Sequence, residues 1–511
     1  QILELYLLHA PYGGPLEGVR AASLAWFGKE PHRLTEAEAA LLVALPQAPE
    51  SRRPDRQTRA ALRARDRVLA RLNLPSAAQP MPRQMQGFAR LAPHLGDELR
   101  RADPLRQRHS VTLDRALQIK VEALARTAIR GQAAGVSVAV VVADHQTGAV
   151  LASSGAPAYS AANGALGFVD MTRAKRSPGS TLKPLIYGLA FDQGLAHPET
   201  IFNDTPTVFG RYAPQNFDGV FRGEVTARAA LQMSLNIAPV MLTDALGPRQ
   251  VMAGLRASGA EPVLPDNAAP GLAIALGGVG LSLRDLVQLY AGLAQGGQAR
   301  PLVWQSGERP VEPAQIMSAR SAWYVSHILG GLAPPPSASK GQLAYKTGTS
   351  YGHRDAWAVG FDGQHVVGVW MGRPDGTPVP GAFGGDLAAP VMFEVFGRIK
   401  DGFESLPPPP ADALMVPTDR LPQPLQYFGK RRDQVARDGL RVAFPPDGAA
   451  LVESGGVPLK LRGGRAPFTV LVNNAPHRTG LRQRDVVLEV DAQGVHRISV
   501  IDATGQSQSV N

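Results

Sequence analysis

Apolar and polar positions follow two different rhythms along this chain, and the change of rhythm divides it. Residues 1 to about 100 keep the spacing of helices. Gln1-Ile2-Leu3-Glu4-Leu5-Tyr6-Leu7 opens inside a helical pattern, Thr35 and Glu38 stand at capping-box spacing before an Ala/Leu-rich run, and Arg59 to Leu72 reads as an amphipathic basic helix. From Val136 the pattern becomes that of strands. Val136-Ser137-Val138-Ala139-Val140-Val141-Val142, turn residues at Asp144 to Gly148, and Ala149 to Ser153 predict a hairpin. Helices are expected around Leu182 to Asp192, Ala227 to Leu246 and Leu283 to Gln295, and late strands at Ala356 to Phe361 and His365 to Gly372. Strands at both ends with helices between them predict a sheet that joins its first and last strands beside a helical cluster.

Proline marks the breaks. Pro334-Pro335-Pro336 with Ser337-Ala338-Ser339 predicts a loop, while Pro407 to Pro410 and the spaced Pro417, Pro422 and Pro424 predict a stiff linker. Beyond about 435, short β-like runs recur between Gly, Pro and Asn turns: Leu440 to Phe444, Val457 to Leu461, Phe468 to Val472, Asp485 to Val490 and Arg497 to Ile501. The expected fold is therefore multidomain. An all-α piece (1–100) and a linker region (101–135) precede an α/β-type domain whose sheet is flanked by helices (136–405). A Pro-rich linker (406–434) then leads to an antiparallel β-sandwich (435–511).

Composition narrows the chemistry. At 511 residues, 44% hydrophobic and 19% charged, the chain has enough apolar material to bury real cores. The absence of cysteine excludes a disulfide frame, a thiolate nucleophile, Cys-ligated zinc and iron–sulfur clusters. No histidine pair with a neighbouring carboxylate has metal-ligand spacing, so no metal is expected. The formal charge of +10 points to anionic partners. With no zinc spacing and no aromatic-interleaved basic motif, nucleic acid is not expected among them. The most apolar long window, Ala268 to Leu283, is too short and too interrupted to span a bilayer. No signal peptide or apolar anchor stands before the helical opening, so an anchor is expected in a segment upstream.

The strongest chemical signal is Arg176-Ser177-Pro178-Gly179-Ser180-Thr181-Leu182-Lys183-Pro184. Ser180 and Lys183, three apart at a helix start, share a face, so the amine can reach the hydroxyl. A serine hydroxyl is a weak nucleophile until a base takes its proton, and a lysine that is desolvated or held near other cations can be neutral enough to do so. Alone, such a pair is common. Here it is followed, in order, by Ser234-Leu235-Asn236 and Lys346-Thr347-Gly348-Thr349-Ser350, completing the S-x-x-K, S-x-N and K-T-G signature of acyl-transferring serine enzymes. In that set Ser234 can relay a proton between Lys183 and a leaving amine, Asn236 can hold a substrate amide, and Lys346 adds positive charge. Thr347 and Thr349 can bind a substrate carboxylate, and Gly348 leaves room for a close approach to the strand. The backbone N–H groups of Ser180 and Thr349 are the expected oxyanion donors. The acyl transfer that these motifs carry needs no organic cofactor.

With these motifs the chain resembles the class A high-molecular-weight penicillin-binding proteins over nearly its whole length. Ile2 to Leu7, Pro11-Tyr12-Gly13-Gly14, Glu17 to Ser23 and Ala64 to Leu69 look like the C-terminal half of a peptidoglycan glycosyltransferase. Asn216-Phe217-Asp218-Gly219 and Arg354 to Phe361 look like flanks of transpeptidase motifs. Phe444 to Gly448 and Arg462-Gly463-Gly464 look like the β-domain of one subtype. The resemblance implies a serine D,D-transpeptidase from a bifunctional glycosyltransferase/transpeptidase. Its partners would be D-Ala-D-Ala stem peptides and a lipid-linked glycan precursor, with β-lactams as covalent inhibitors. It would act at the periplasmic face of the bacterial inner membrane. Glu4 and Arg65 match later glycosyltransferase motifs, but the family's catalytic glutamate lies upstream of this segment, so no glycan transfer is expected from the segment itself.

Two rival readings follow from the same residues. A β-lactamase-like hydrolase needs a water-activating base, and Glu261-Pro262-Val263-Leu264-Pro265 looks like the corresponding loop, with proline where that family has asparagine. A non-catalytic cell-wall scaffold would leave the three motifs free to decay, and all three are intact. His353, beside the K-T-G strand, is a candidate substrate contact, while His477, His496, Arg478, Arg482 and Arg484 read as solvated loop residues of the β-domain.

Overall fold

The computed structural model describes every residue except 76–78, 89, 107, 162–165, 211, 266–267, 309–310, 337, 339–342, 430–438, 451–455 and 491–493. Ser337 and Ser339 of the expected loop, and the expected boundary at 434/435, lie outside the described residues. The chain separates into two units, Gln1–Leu91 and Ala92–Asn511.

The first unit is helical: α1 (Ile2–His9), α2 (Val19–Phe27), α3 (Glu36–Ala44) and α4 (Thr58–Arg71). Tyr12, Trp26, Leu41, Leu45 and Ala61 form its core. The capping box at α3 is complete, with the Glu38 N–H donating to Thr35 Oγ1 at 3.3 Å and the Thr35 N–H donating to Glu38 Oε2 at 2.8 Å. On α4, Arg65 is buried and pairs with Asp66 at 2.9 Å, whereas Arg59, Arg63, Arg67 and Arg71 are exposed.

In the second unit, α5 (Pro93–Ala102) and α6 (Arg115–Ala128) precede the hairpin of β1 (Ser137–Asp144) and β2 (Val150–Ser154). The chain then runs through α7 (Lys183–Asp192), β3 (Ile201–Asp204), β4 (Gly223–Thr226), α8 (Ala227–Gln232), α9 (Ile237–Leu246), α10 (Pro248–Ala257) and α11 (Leu283–Ala294). A short ribbon, β5 (Gln298–Ala299) with β6 (Ala314–Gln315), leads to α12 (Ala319–Leu329). Then come β7 (Ala344–Thr349), β8 (Asp355–Phe361), β9 (His365–Gly372) and α13 (Ala389–Ile399).

The sheet order is β2-β1-β9-β8-β7, antiparallel throughout, so the first and last strands do meet: Ser137 lies opposite Gly372 and Asp144 opposite His365. The unbroken apolar run in β1 follows from burial on both faces. Ala139, Val141 and Ala143 join the core made with α7, α9 and α11, while Val138, Val140 and Val142 join the one made with α6 and α13.

Three differences from the sequence reading bear on the site. Residues 227–246, expected as one helix, form two, because Ser234 takes a left-handed conformation (φ 58°) and the Leu235 N–H turns back to Ala230 O at 2.9 Å. Ser180 lies on a 3₁₀ turn, Gly179–Leu182, that runs directly into α7. Helices α6, α10, α12 and α13 were not predicted, and they supply much of the packing around the sheet.

After α14 (Gln423–Gln426), the C-terminal strands form two sheets. One has the order β10 (Arg441–Phe444), β11 (Val457–Arg462), β14 (Asp485–Leu488). The other runs β13 (Ala475–Leu481), β12 (Phe468–Val472), β15 (Ile498–Ile501), β16 (Ser507–Val510). Leu459, Leu461 and Leu488 from the first share one core with Phe468, Val470 and Val500 from the second, as a sandwich requires. Among the described residues no helix is long and apolar enough to cross a membrane.

Candidate active site

The serine turn is held from below by hydrogen bonds that reach far along the chain. Trp357 Nε1 donates to Ser177 O at 2.9 Å, Ser177 Oγ to Gly277 O at 2.8 Å, and the buried Tyr290 hydroxyl to Thr181 O at 2.8 Å. Beside it the turn meets β7 backbone to backbone. A Cβ on Gly179, which sits at φ 53°, would come within 2.5 Å of Thr349 O, and one on Gly348 within 2.6 Å of Pro178 O. Glycine at 348 therefore makes room for the serine turn, a different reason from the substrate approach expected for it.

The two lysines are buried behind this surface. Lys183 is 0% exposed and Lys346 2%. Lys183 Nζ donates to Ser234 O (2.6 Å), Leu235 O (3.0 Å) and Asn236 Oδ1 (2.7 Å), and approaches Ser234 Oγ at 3.3 Å. Lys346 Nζ donates to the same Ser234 Oγ at 2.8 Å and to Thr347 O at 3.1 Å. The Ser234 hydroxyl thus bridges the two amines, and the left-handed backbone at Ser234 presents both its carbonyl and its hydroxyl to Lys183. Burial, and secondarily the charge on Lys346, hold Lys183 well below the usual lysine range. Burial brings Lys346 down to about 7. No carboxylate contributes to either shift.

In front of the lysines lies an open cleft of ≈ 1190 Å³, lined by Ser180, Ser234, Asn236, Thr347, Gly348 and Thr349 among others. The structure therefore brings all eight expected residues together, six on the cleft wall and two lysines behind it. Thr349 Oγ1 accepts the Gly384 N–H at 3.1 Å. At the rim, the rings of Phe217, His353 and Phe383 meet pairwise edge to face at 4.9–5.7 Å, so His353 is part of the cleft wall. Glu261 is not among the lining residues; its carbonyl accepts from Lys175 Nζ at 2.7 Å. Among the described residues no cluster of three His, Cys, Asp or Glu side chains could hold a metal.

Sequence reading missed Asp204, Tyr290 and the supporting role of Trp357. Asp204 ends a four-residue strand, and Tyr290 lies inside an apolar helical run, where an aromatic residue reads as core. In the sequence Asn216 stands only as part of a motif flank. It lines the cleft and accepts the Asn236 N–H through Oδ1 at 2.8 Å.

Comparison with known proteins supplies an independent line. The family model for the penicillin binding protein transpeptidase domain matches residues 138–396, that for transglycosylase matches 1–73, and that for the penicillin-binding protein C-terminus family matches 429–511. The chain is 39% identical to penicillin-binding protein 1C of Escherichia coli over 427 residues, 80% of this chain and 55% of that protein. It is 28% identical to penicillin-binding protein 1B of Vibrio cholerae over 438 residues, 74% of this chain and 54% of that one. It spans about half the length of these curated relatives. Among solved structures, penicillin-binding protein 1A from Haemophilus influenzae shares the fold with a TM-score of 0.58 at 16% identity, covering 80% of this chain and 87% of that one. The PonA1 protein from Mycobacterium tuberculosis, solved in complex with penicillin V, has a TM-score of 0.51 at 22% identity, covering 62% of this chain and 98% of that one.

Proposed function

The chain belongs to the penicillin-binding protein transpeptidase family, and on that premise we propose that it is a serine D,D-transpeptidase of peptidoglycan synthesis with Ser180 as its nucleophile. The observation that carries this reading is the Ser234 hydroxyl bridging two buried lysine amines behind the cleft that Ser180 lines.

The steps follow from the chemistry of those groups. Lys183, neutralised by burial and by the neighbouring ammonium, takes the hydroxyl proton as Ser180 Oγ attacks the carbonyl of a D-Ala-D-Ala bond. The N–H groups of Ser180 and Thr349 receive the oxyanion. When the C–N bond breaks, the proton passes from Lys183 through Ser234 to the leaving D-alanine, and an ester to Ser180 remains. An amino group of a neighbouring stem then attacks the ester, the C–O bond breaks and Ser180 recovers its proton. Thr347 and Thr349 take the terminal carboxylate, Lys346 supplies positive charge, and Asn236 holds the donor peptide's amide. A β-lactam, whose cyclic amide imitates the dipeptide, leaves Ser180 acylated.

Several features extend the reading beyond the cleft. The transglycosylase match supports a bifunctional parent protein working on a lipid-linked glycan precursor at the periplasmic face of the inner membrane. The position of Glu261 outside the cleft lining argues against a hydrolase that activates water with it.

Mass spectrometry after treatment with benzylpenicillin tests the proposal. One adduct on the peptide containing Ser180, stable for many minutes and absent from Ser180→Ala, is expected. An adduct elsewhere, or one that turns over within minutes, overturns it.

A further inference from the structure

We propose that Asp204 is a positioning residue for the lysine base, orienting Asn216 so that the amide oxygen of Asn236 is fixed against the Lys183 amine. The inference rests on the reading above, in which Lys183 activates Ser180.

Asp204 ends β3 and is 1% exposed. Its Oδ2 accepts from Asn216 Nδ2 at 2.8 Å and from the Arg222 N–H at 2.8 Å. Asn216 in turn accepts the Asn236 N–H through Oδ1 at 2.8 Å, Asn236 Nδ2 donates to Gln215 O at 2.6 Å, and Asn236 Oδ1 takes the Lys183 amine at 2.7 Å. Two of these links are carboxamides, and a carboxamide can point either end toward a neighbour. An ionised carboxylate only accepts. Asp204, together with Val220 O, which accepts the other Nδ2 hydrogen at 2.9 Å, therefore holds the NH₂ of Asn216 and leaves its oxygen for the Asn236 backbone. With that backbone N–H held and Nδ2 engaged by Gln215, the Asn236 oxygen faces Lys183.

The charge of the same carboxylate is also felt on the helix that carries the base. Tyr187 stands one turn after Lys183 on α7, so both lie on one face. Its hydroxyl and Asp204 Oδ1 are both buried without a hydrogen-bond partner among the described residues. Burial, followed by the charge on Asp204, pushes the Tyr187 pKa up, which keeps the hydroxyl protonated. Of the titratable groups, Lys346 from β7 acts on the Lys183 amine directly, and Asp204 from β3 reaches it through the two asparagines.

Labelling with a fluorescent penicillin, followed by stopped flow across pH, tests this on wild type, Asp204→Ala, Asp204→Asn and Asn216→Ala. The amplitude counts folded sites and the rate constant reports their chemistry. Asp204→Ala and Asn216→Ala are expected to lower the second-order rate constant of the labelled fraction by ~10-fold or more. Their acid limb should also move to lower pH, because Asn236 no longer favours the ammonium. Asp204→Asn, whose amide oxygen the Arg222 N–H would keep turned toward the same donors, should stay within about threefold of wild type. If both alanine variants keep the wild-type rate constant and acid limb, or lose amplitude alone, the proposal falls. Should Asp204→Ala not fold, Asn216→Ala decides. A wild type that does not label at Ser180 overturns the functional reading and this inference together, whereas a labelled wild type with indifferent variants overturns the inference alone.

Discussion

Helix α4 and the serine cleft both concentrate positive charge, and they do opposite things with it. On α4, Arg59, Arg63, Arg67 and Arg71 recur every fourth residue, all exposed, where water and salt screen them. In the cleft, two lysines are enclosed by a core in which nine of the ten residues of α7 are buried. Like charges at that spacing cost an isolated helix only a few tenths of a kcal/mol per pair, because the solvent carries most of the field. Enclosing an ammonium is far more expensive, and the protein lowers that cost by letting the amine give up its proton. The net charge of +10 counts both kinds of cation alike. What lets a cation shed its proton here is the apolar packing around it.

The comparison can be broken most severely at Lys183. Replacing it with arginine keeps a charge but removes a group able to accept a proton, and acylation of Ser180 by penicillin should fall by ~10²–10⁴-fold. A rate within tenfold of wild type would show that another base acts.

Lys346 gives a smaller effect with a defined sign. Because burial brings its amine to about 7, the charge is present below that pH and lost above it. The acylation profile should therefore carry a limb near pH 7 on which the rate falls as pH rises. Lys346→Arg, charged throughout, should remove that limb. A limb that survives the substitution belongs to another group.

The smallest effect is expected on α4. Changing Arg59, Arg63, Arg67 and Arg71 together to glutamine should leave the acylation rate constant within twofold, since solvated charges supply no base. A loss comparable to that of Lys183→Arg would erase the distinction between the two regions.

How far the sequence disclosed these regions follows from what each depends on. The hairpin of β1 and β2 and the late strands β8 and β9 were legible because burial on both faces leaves runs of apolar residues. Five of the C-terminal strands were legible because turns bound their short apolar runs; β13 and β16, largely exposed and polar, left no such run. The joining of first and last strands followed from their order. The single helix read across 227–246 was wrong because the pattern there is apolar on both sides of a break, and a left-handed serine leaves no hydrophobic signature. The eight motif residues were legible as types in order, and the cleft does assemble them. Asp204 and Tyr290 were not, because each contributes one hydrogen bond network to a partner over a hundred residues away or through two intermediaries. Such roles exist only once the chain is folded.

The seam where the serine turn meets β7 bears on where this chain can change in evolution. At Gly179 and Gly348 any other residue drives a carbon into a carbonyl of the opposing element, so the reaction centre has no viable one-step neighbours at these points. The cleft rim is different: Phe217 is 66% and Tyr351 100% exposed, with room for side chains of many shapes. Change is thereby steered away from the seam and toward the entrance, where substitutions alter which molecules fit the cleft.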